Sequence, residues 1–200
     1  MSAAVLFPFP PRLAGERITL RAMTAADITP EYIGWLNDPE VMRHSNQRFV
    51  RHDRASCERY LASFSNDSPN LFISVRLVCT DEAIGTLTAY RNPHHGTADI
   101  GILMGNKRLW GQGLGAEAFC LLADWLAHQR GTRKLSCGTL SSNHAMLRLA
   151  EGAGFKSEAV RSAQELVDGE PADIVYFARF TRMAACAQPT HAAVRRAVAA

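Results

Sequence analysis

Residues 98–118, ADIGILMGNKRLWGQGLGAEA, set an apolar run, a glycine-rich turn and an amphipathic helix in direct succession. Ala98 to Gly105 is too short for a buried helix and rich in isoleucine, so it reads as a central strand. From Gly113 onward Leu114, Ala118, Leu121, Leu122 and Trp125 share one face, with Glu117, Asp124 and His128 on another, which predicts a helix ended by Gly131. Strand, glycine turn and helix together form a general device for holding phosphate. The first N–H groups of a helix lack partners, its dipole favours an anion there, and glycines let the backbone come close.

Three ligands compete for this element. A P-loop requires Gly-Lys-Ser/Thr at its end, and none is present. A dinucleotide fold requires G-x-G-x-x-G/A, which Gly111, Gly113 and Ala116 match, but Thr139-Leu140-Ser141-Ser142 ends the next strand where a ribose-binding acid belongs. The third is the pyrophosphate of coenzyme A, and the rest of the chain bears on it.

Gly15 to Met23 alternates in the manner of a half-buried strand, and Thr24-Ala25-Ala26-Asp27 predicts a capping box opening a helix through Trp35 and Leu36, broken at Asn37-Asp38-Pro39. A second helix is expected from about Asp53, ending in the polar cluster Ser65 to Asn70. Leu71 to Cys79 and Ala83 to Tyr90 read as a hairpin, and Asn92 to Gly96 turns the chain into the central strand. Lys134 to Leu140 is a further strand and Asn143 to Ala153 a further helix. Phe155 to Val167 and Asp173 to Phe180 flank a turn at Asp168-Gly169. The alanine-rich residues 183–200 have no apolar stripe and read as a frayed helix or disorder.

In this order, Trp110-Gly111-Gln112-Gly113-Leu114-Gly115-Ala116-Glu117-Ala118, Asn143 and Glu151-Gly152-Ala153-Gly154-Phe155 resemble the GNAT N-acetyltransferase superfamily, in particular its RimJ/RimL-like branch. The opening strand and Trp35 to Val41 extend the likeness over residues 14–182, with 1–13 an N-terminal extension. Ala116 stands where the branch has threonine. The resemblance implies an α+β fold: one domain with a mixed, mostly antiparallel sheet of six to seven strands and helices on both faces. It implies acetyl-CoA as donor, held by Ile102, Leu103, Met104, Arg108, Trp110, Gly111, Gln112, Gly113, Leu114, Gly115, Ala116 and Asn143. By resemblance Asn143 bonds the pantetheine amides; its alternative role is to cap the helix it begins, and the two are compatible.

Acetyl transfer needs a neutral amine, a polarised thioester carbonyl and an accommodated thiolate. Backbone N–H groups near Met104 are expected to serve the carbonyl. A lysine amine of pKa ~10.4 is neutral in less than about one part in a thousand at pH 7, an α-amine near ~8 about a tenth of the time, so the acceptor decides how much base is needed. By resemblance two carboxylates are candidate bases, Asp99 on the central strand and Glu165 near the end. Their alternative roles are a structural ion pair and a solvated strand residue. The family's tyrosine and serine acids fall at Ala150 and Met146, which leaves the acid unassigned, with Ser141, Ser142 or the substrate itself as stand-ins.

Between the first two helices, Val41 to Tyr60 carries Arg43, Arg48, Arg51, Arg54 and Arg59 against only Asp53 and Glu58. By resemblance this segment walls the acceptor site. Its arginines suit an anionic acceptor such as a nucleotide-linked amino sugar, with Trp35, Asn37 and Arg48 as substrate-side candidates; the alternative is a solvated helix face. A protein N-terminus is the second candidate acceptor, and non-catalytic binding of acetyl-CoA the reading from another class. Composition narrows the rest. A net charge of +3, evenly spread, argues against nucleic acid, and no apolar run approaches the ~18 residues of a membrane span. Five cysteines without C-x-x-C spacing argue against disulfides and zinc, and His94-His95 lacks a third ligand, so no metal is expected. Met1 to Pro11 has no basic start and three prolines, which argues against a secretory signal, so a cytoplasmic location is expected; a monomer or homodimer is expected separately.

Overall fold

A computed structural model describes residues 9–64, 68–129 and 131–181; the expectation for 183–200 falls outside them. In chain order the elements are β1 (Leu13–Ala14), β2 (Ile18–Ala22), α1 (Pro30–Asn37), α2 (Pro39–Met42), α3 (Arg54–Ala62), β3 (Leu71–Leu77), β4 (Ala83–Asn92), β5 (Thr97–Met104), α4 (Leu114–Ala127), β6 (Lys134–Leu140), α5 (His144–Gly152), β7 (Lys156–Val167) and β8 (Glu170–Phe180). The strands form one sheet in the order β1-β2-β3-β4-β5-β6-β8-β7. Every pairing is antiparallel except β5 with β6, the pair whose crossover carries α4. The count is eight strands rather than six to seven because β1 adds two residues at the edge, too few to show a period of two.

Neighbouring residues of β3 send their side chains to opposite faces. Ile73 and Val75 join the main core, with Leu87, Ile100, Leu135 and the buried face of α4, Leu114, Ala118, Phe119, Leu122 and Leu126. Phe72 joins a second core with Tyr32 and Trp35 of α1 and Cys57 of α3. Helices therefore cover both faces.

Local chemistry sets the boundaries, and two differ from expectation. The Thr24–Asp27 capping box is present but closes a single 3-10 turn, Ala25–Asp27. Asp27 is also held by Arg21 and Arg76, and the α-helix begins later, where Thr29 caps Tyr32 N–H and Pro30 takes the first position. Helix α4 ends at Ala127 rather than running on to Gly131, with His128 as its cap. The β7–β8 turn has positive φ at both Asp168 (52°) and Gly169 (86°), the pattern that joins twisted antiparallel strands most tightly.

Candidate active site

The loop between β5 and α4 is held from several sides. Asn106, buried, takes Arg108 N–H on its side-chain oxygen and donates to Glu82. Lys107 Nζ lies 2.7 Å from Asp38 and 3.0 Å from Glu40, at the start of α2. Trp110 Nε1 donates to Met104 O at 2.9 Å, and Gln112 Nε2 to Arg108 O. Gly111 and Gly113 have φ of 77° and 78°, so the chain turns left-handed twice before the helix begins. The first helical bond is Glu117 N–H to Gly113 O. The N–H groups of Gly111, Gln112, Gly113, Leu114, Gly115 and Ala116 have no acceptor among the described residues, which makes a concave row of donors suited to phosphate. A Cβ on Gly115 would stand 3.1 Å from Met104 Cγ, so glycine there seats the helix start against β5.

Sequence reasoning missed Arg17. Its Nε bonds Glu117 Oε2 at 2.9 Å and its Nη1 bonds Gln112 O at 2.9 Å, while Glu117 Oε1 takes the N–H groups of Arg17 and Ile18. Burial alone would raise the Glu117 carboxyl, but these donors outweigh it and hold it below its ordinary value. A partner a hundred residues away leaves no signal in spacing.

From the loop the open edge of β5 leads back into the sheet. Strands β5 and β6 pair only at Thr97–Lys134, Ala98–Leu135 and Asp99–Ser136. Beyond Asp99 each keeps its other neighbour, β4 or β8. Gly105 N–H bonds Ile84 O, toward β4. By the alternation of a strand, the N–H groups of Met104 and Ile102 then point the other way, into the gap, beyond the last β5–β6 pair at Asp99–Ser136. Trp110 takes the Met104 carbonyl there, leaving its N–H.

Asp99 is the last residue before the strands part. Tyr90 stands opposite it on β4 and Ser136 on β6. All three lie on the face of Phe72, shared with α1 and α3. Solvent reaches Asp99, yet the protein crowds its carboxyl; desolvation raises its pKa above the ordinary value, and the Ser136 Oγ bond at 2.7 Å acts in the opposite direction. Tyr90 OH meets Tyr60 OH of α3 at 2.7 Å, and burial followed by this contact raises the Tyr60 pKa. On the other face the Cys137 thiol is pushed up to about 12, first by burial and then by Asp99. Ala150 is fully buried in the main core, so α5 presents no acid at that position.

Glu165 lies elsewhere. Ser136 faces Ala178 of β8, whereas Glu165 faces Ala172, and that stretch of β8 is about 20 Å long at ~3.3 Å per residue. The two carboxylates are not brought together. Glu165 accepts from Asn46 Nδ2 at 2.6 Å and Arg48 Nη2 donates to Leu166 O, tying the β7–β8 hairpin to the 3-10 turn Asn46–Phe49. The other substrate-side candidates are also engaged. Trp35 is 8% exposed, its ring packed over Gly105, where a Cβ would fall 1.9 Å from it. Asn37 donates to Ile33 O and His52 O and accepts His52 N–H. Asn143 caps α5 through Met146 N–H and donates to Thr139 Oγ1. One of its amide hydrogens is left over.

A row of free donors opening onto an unpaired strand edge suits a molecule that is phosphate-bearing at one end and rich in amides along its length. Residues 17–156 match the family model described as Acetyltransferase (GNAT) domain. The chain belongs to that family, and it is an acetyl-CoA-dependent N-acetyltransferase. No curated protein matches it in sequence. Among solved structures it is similar to RimL, the ribosomal L7/L12 alpha-N-protein acetyltransferase, in complex with coenzyme A (TM-score 0.75, 16% identity, covering 85% of this chain and 98% of that one). It is also similar to the Vibrio cholerae spermidine N-acetyltransferase in complex with CoA and spermine (0.73, 17%, 82% and 96%). A third is a GNAT-family acetyltransferase from Bacillus anthracis (0.72, 15%, 84% and 98%). At these identities the likeness is one of fold. Among the described residues no helix is long and apolar enough to cross a membrane, and no group of three or more His, Cys, Asp or Glu is placed to hold a metal.

Proposed function

We propose that the enzyme acetylates the primary amine of a small anionic acceptor, such as a nucleotide-linked amino sugar, by direct transfer with Asp99 as base. The observation that carries the base is the position of Asp99: the last residue of β5 paired with β6, at the head of the open edge and on the face of α1 and α3. Its raised pKa brings it nearer to working pH than an ordinary aspartate, which suits a general base. Acetyl-CoA supplies the acetyl thioester. The N–H groups of residues 111–116 fit its pyrophosphate, the edge of Ile102 and Met104 fits its amides, and Asn143 keeps one amide hydrogen for them. Direct transfer is favoured over a cysteine relay because Cys137 stays protonated. If Asp99 is the base, Ser136→Ala removes a donor to its charged form. The acidic limb of kcat/KM then moves to higher pH, so activity falls more at pH 6 than at pH 8; an unmoved limb refutes the pairing.

The anionic acceptor rests on the α2–α3 segment. Arg43, Arg51 and Arg59 are exposed, and their side chains make no hydrogen bond or salt bridge among the described residues. His44 has its pKa lowered by burial, and further by Arg43, Arg48 and His144, so positive groups from two parts of the chain converge on it. Such a surface repels a polycation. The test is release of free thiol from acetyl-CoA with three acceptor classes: nucleotide amino sugars, spermidine and N-terminal peptides. The amino sugars are expected to give the highest kcat/KM. Preference for peptides would install the protein N-terminal reading, and tight acetyl-CoA binding without thiol release on any amine would make the chain a non-catalytic binder. Glu165 is assigned to hairpin anchoring. Glu165→Gln keeps an oxygen for Asn46 and is expected to lower kcat/KM by less than about threefold; a hundredfold loss would return the base to Glu165.

A further inference from the structure

We infer that Arg17 is a positioning residue for the coenzyme's phosphates, acting through the peptide between Gln112 and Gly113. This rests on the reading of the glycine loop as a pyrophosphate cradle. In a trans peptide the C=O and N–H point in opposite directions. Arg17 Nη1 draws the Gln112 carbonyl toward β2, so the Gly113 N–H on the same plane is turned away from β2, outward among the free donors of the loop. The same guanidinium settles an electrostatic conflict. Glu117 places a carboxylate in the first turn of α4, where the dipole welcomes it but where it also repels a phosphate. Arg17 Nε pairs with that carboxylate at 2.9 Å, and the Arg17 and Ile18 N–H groups take its second oxygen. The close approach is built in: a Cβ on Gly15 would lie 2.7 Å from Glu117 Oε1. Arg17 Nη2, which makes no hydrogen bond among the described residues, stands 3.5 Å from where a Cβ of Gly113 would be, so its spare donors face the loop. Lysine has a single nitrogen and cannot bridge Glu117 and Gln112 in this way.

The test compares two donors, acetyl-CoA and S-acetylpantetheine, which carries the thioester and the amides but no phosphates. Arg17→Met is expected to raise KM for acetyl-CoA about tenfold, the scale of one charge-assisted contact. Its loss on S-acetylpantetheine is at least about fivefold smaller, because that donor never meets the loop. Arg17→Lys, the milder variant, shows the same split. Equal losses on both donors, unchanged KM for acetyl-CoA, or failure of both variants to fold would make Arg17 a purely structural residue and overturn the inference. Wild-type enzyme that does not bind acetyl-CoA would overturn the coenzyme reading as well, whereas wild-type binding with an indifferent Arg17 overturns this inference alone.

Discussion

Replacing Gly113 with aspartate raises the KM for acetyl-CoA by at least about a hundredfold, equivalent to about 2.7 kcal/mol, in a protein that still folds. Folding survives because the site is forgiving in the two ways that matter. The backbone is left-handed at φ 78° and ψ 1°, a region where aspartate is among the few tolerated side chains. Among the described residues, the two chain neighbours aside, the only atom within 4 Å of the new Cβ is Arg17 Nη2, at an ordinary contact distance of 3.5 Å. Binding fails for the same reason: the new carboxylate pairs with Arg17 and fills the row of N–H donors with a charge of the same sign as the ligand's. Gly113→Ala separates the causes, since it carries the backbone strain without the charge and has the smaller effect. A folded Gly113→Asp protein with unchanged KM would refute the assignment of the loop.

Asp99→Asn is expected to lower kcat by about a hundredfold or more, the usual scale for losing a general base. It also abolishes the acidic limb of the pH profile. In the wild type that limb lies above the range of an ordinary aspartate, because desolvation raises the carboxyl pKa and Ser136 only partly offsets it. The same shift governs stability. A carboxyl whose pKa is higher folded than unfolded contributes stability that is complete below the unfolded value and lost as pH rises through the folded one. At pH 7 the charged Asp99 is therefore a cost, and Asp99→Asn, whose Oδ1 still accepts from Ser136, has a Tm equal to or above that of the wild type. The advantage narrows toward pH 4. A variant less stable at pH 7, or one with wild-type kcat, would sink the assignment.

Much of this was legible in the chain before any fold was drawn. The alternation of β3 and β4, the short apolar run of β5, the face of α4 and the Asp168-Gly169 turn are local patterns, and local patterns survive in a linear sequence. The capping box was legible too, but its Thr24 and Asp27 close a turn that ends before Pro30, because Thr29 offers a second cap immediately ahead of a proline. The glycine turn between β5 and α4 was legible too, and Gly111 and Gly113 do take the positive φ that glycine allows. What was hidden are the relations that only register creates. Nothing in spacing pairs Arg17 with Glu117, sets Ser136 and Tyr90 beside Asp99, or separates Asp99 from Glu165 along β8. The substrate-side candidates Trp35, Asn37 and Arg48 illustrate the same limit. Side-chain type suggested recognition, and spacing gave no sign of the contacts the fold gives them: packing against Gly105, tying α1 to His52 and holding the hairpin.

The pairing of β5 with β6 stops after three residues, so the sheet is two plates riveted at one corner. Over the rest of their length no described residue cross-links the two strands. On the proposed reading of this edge as the seat of the donor's amides, acetyl-CoA lying along Ile102 and Met104 takes the place of the absent strand, and the loaded enzyme is the more completely bonded object of the two. On that reading it is the coenzyme, acetylated or not, that braces the plates, and the brace leaves with the thiol product at each turnover.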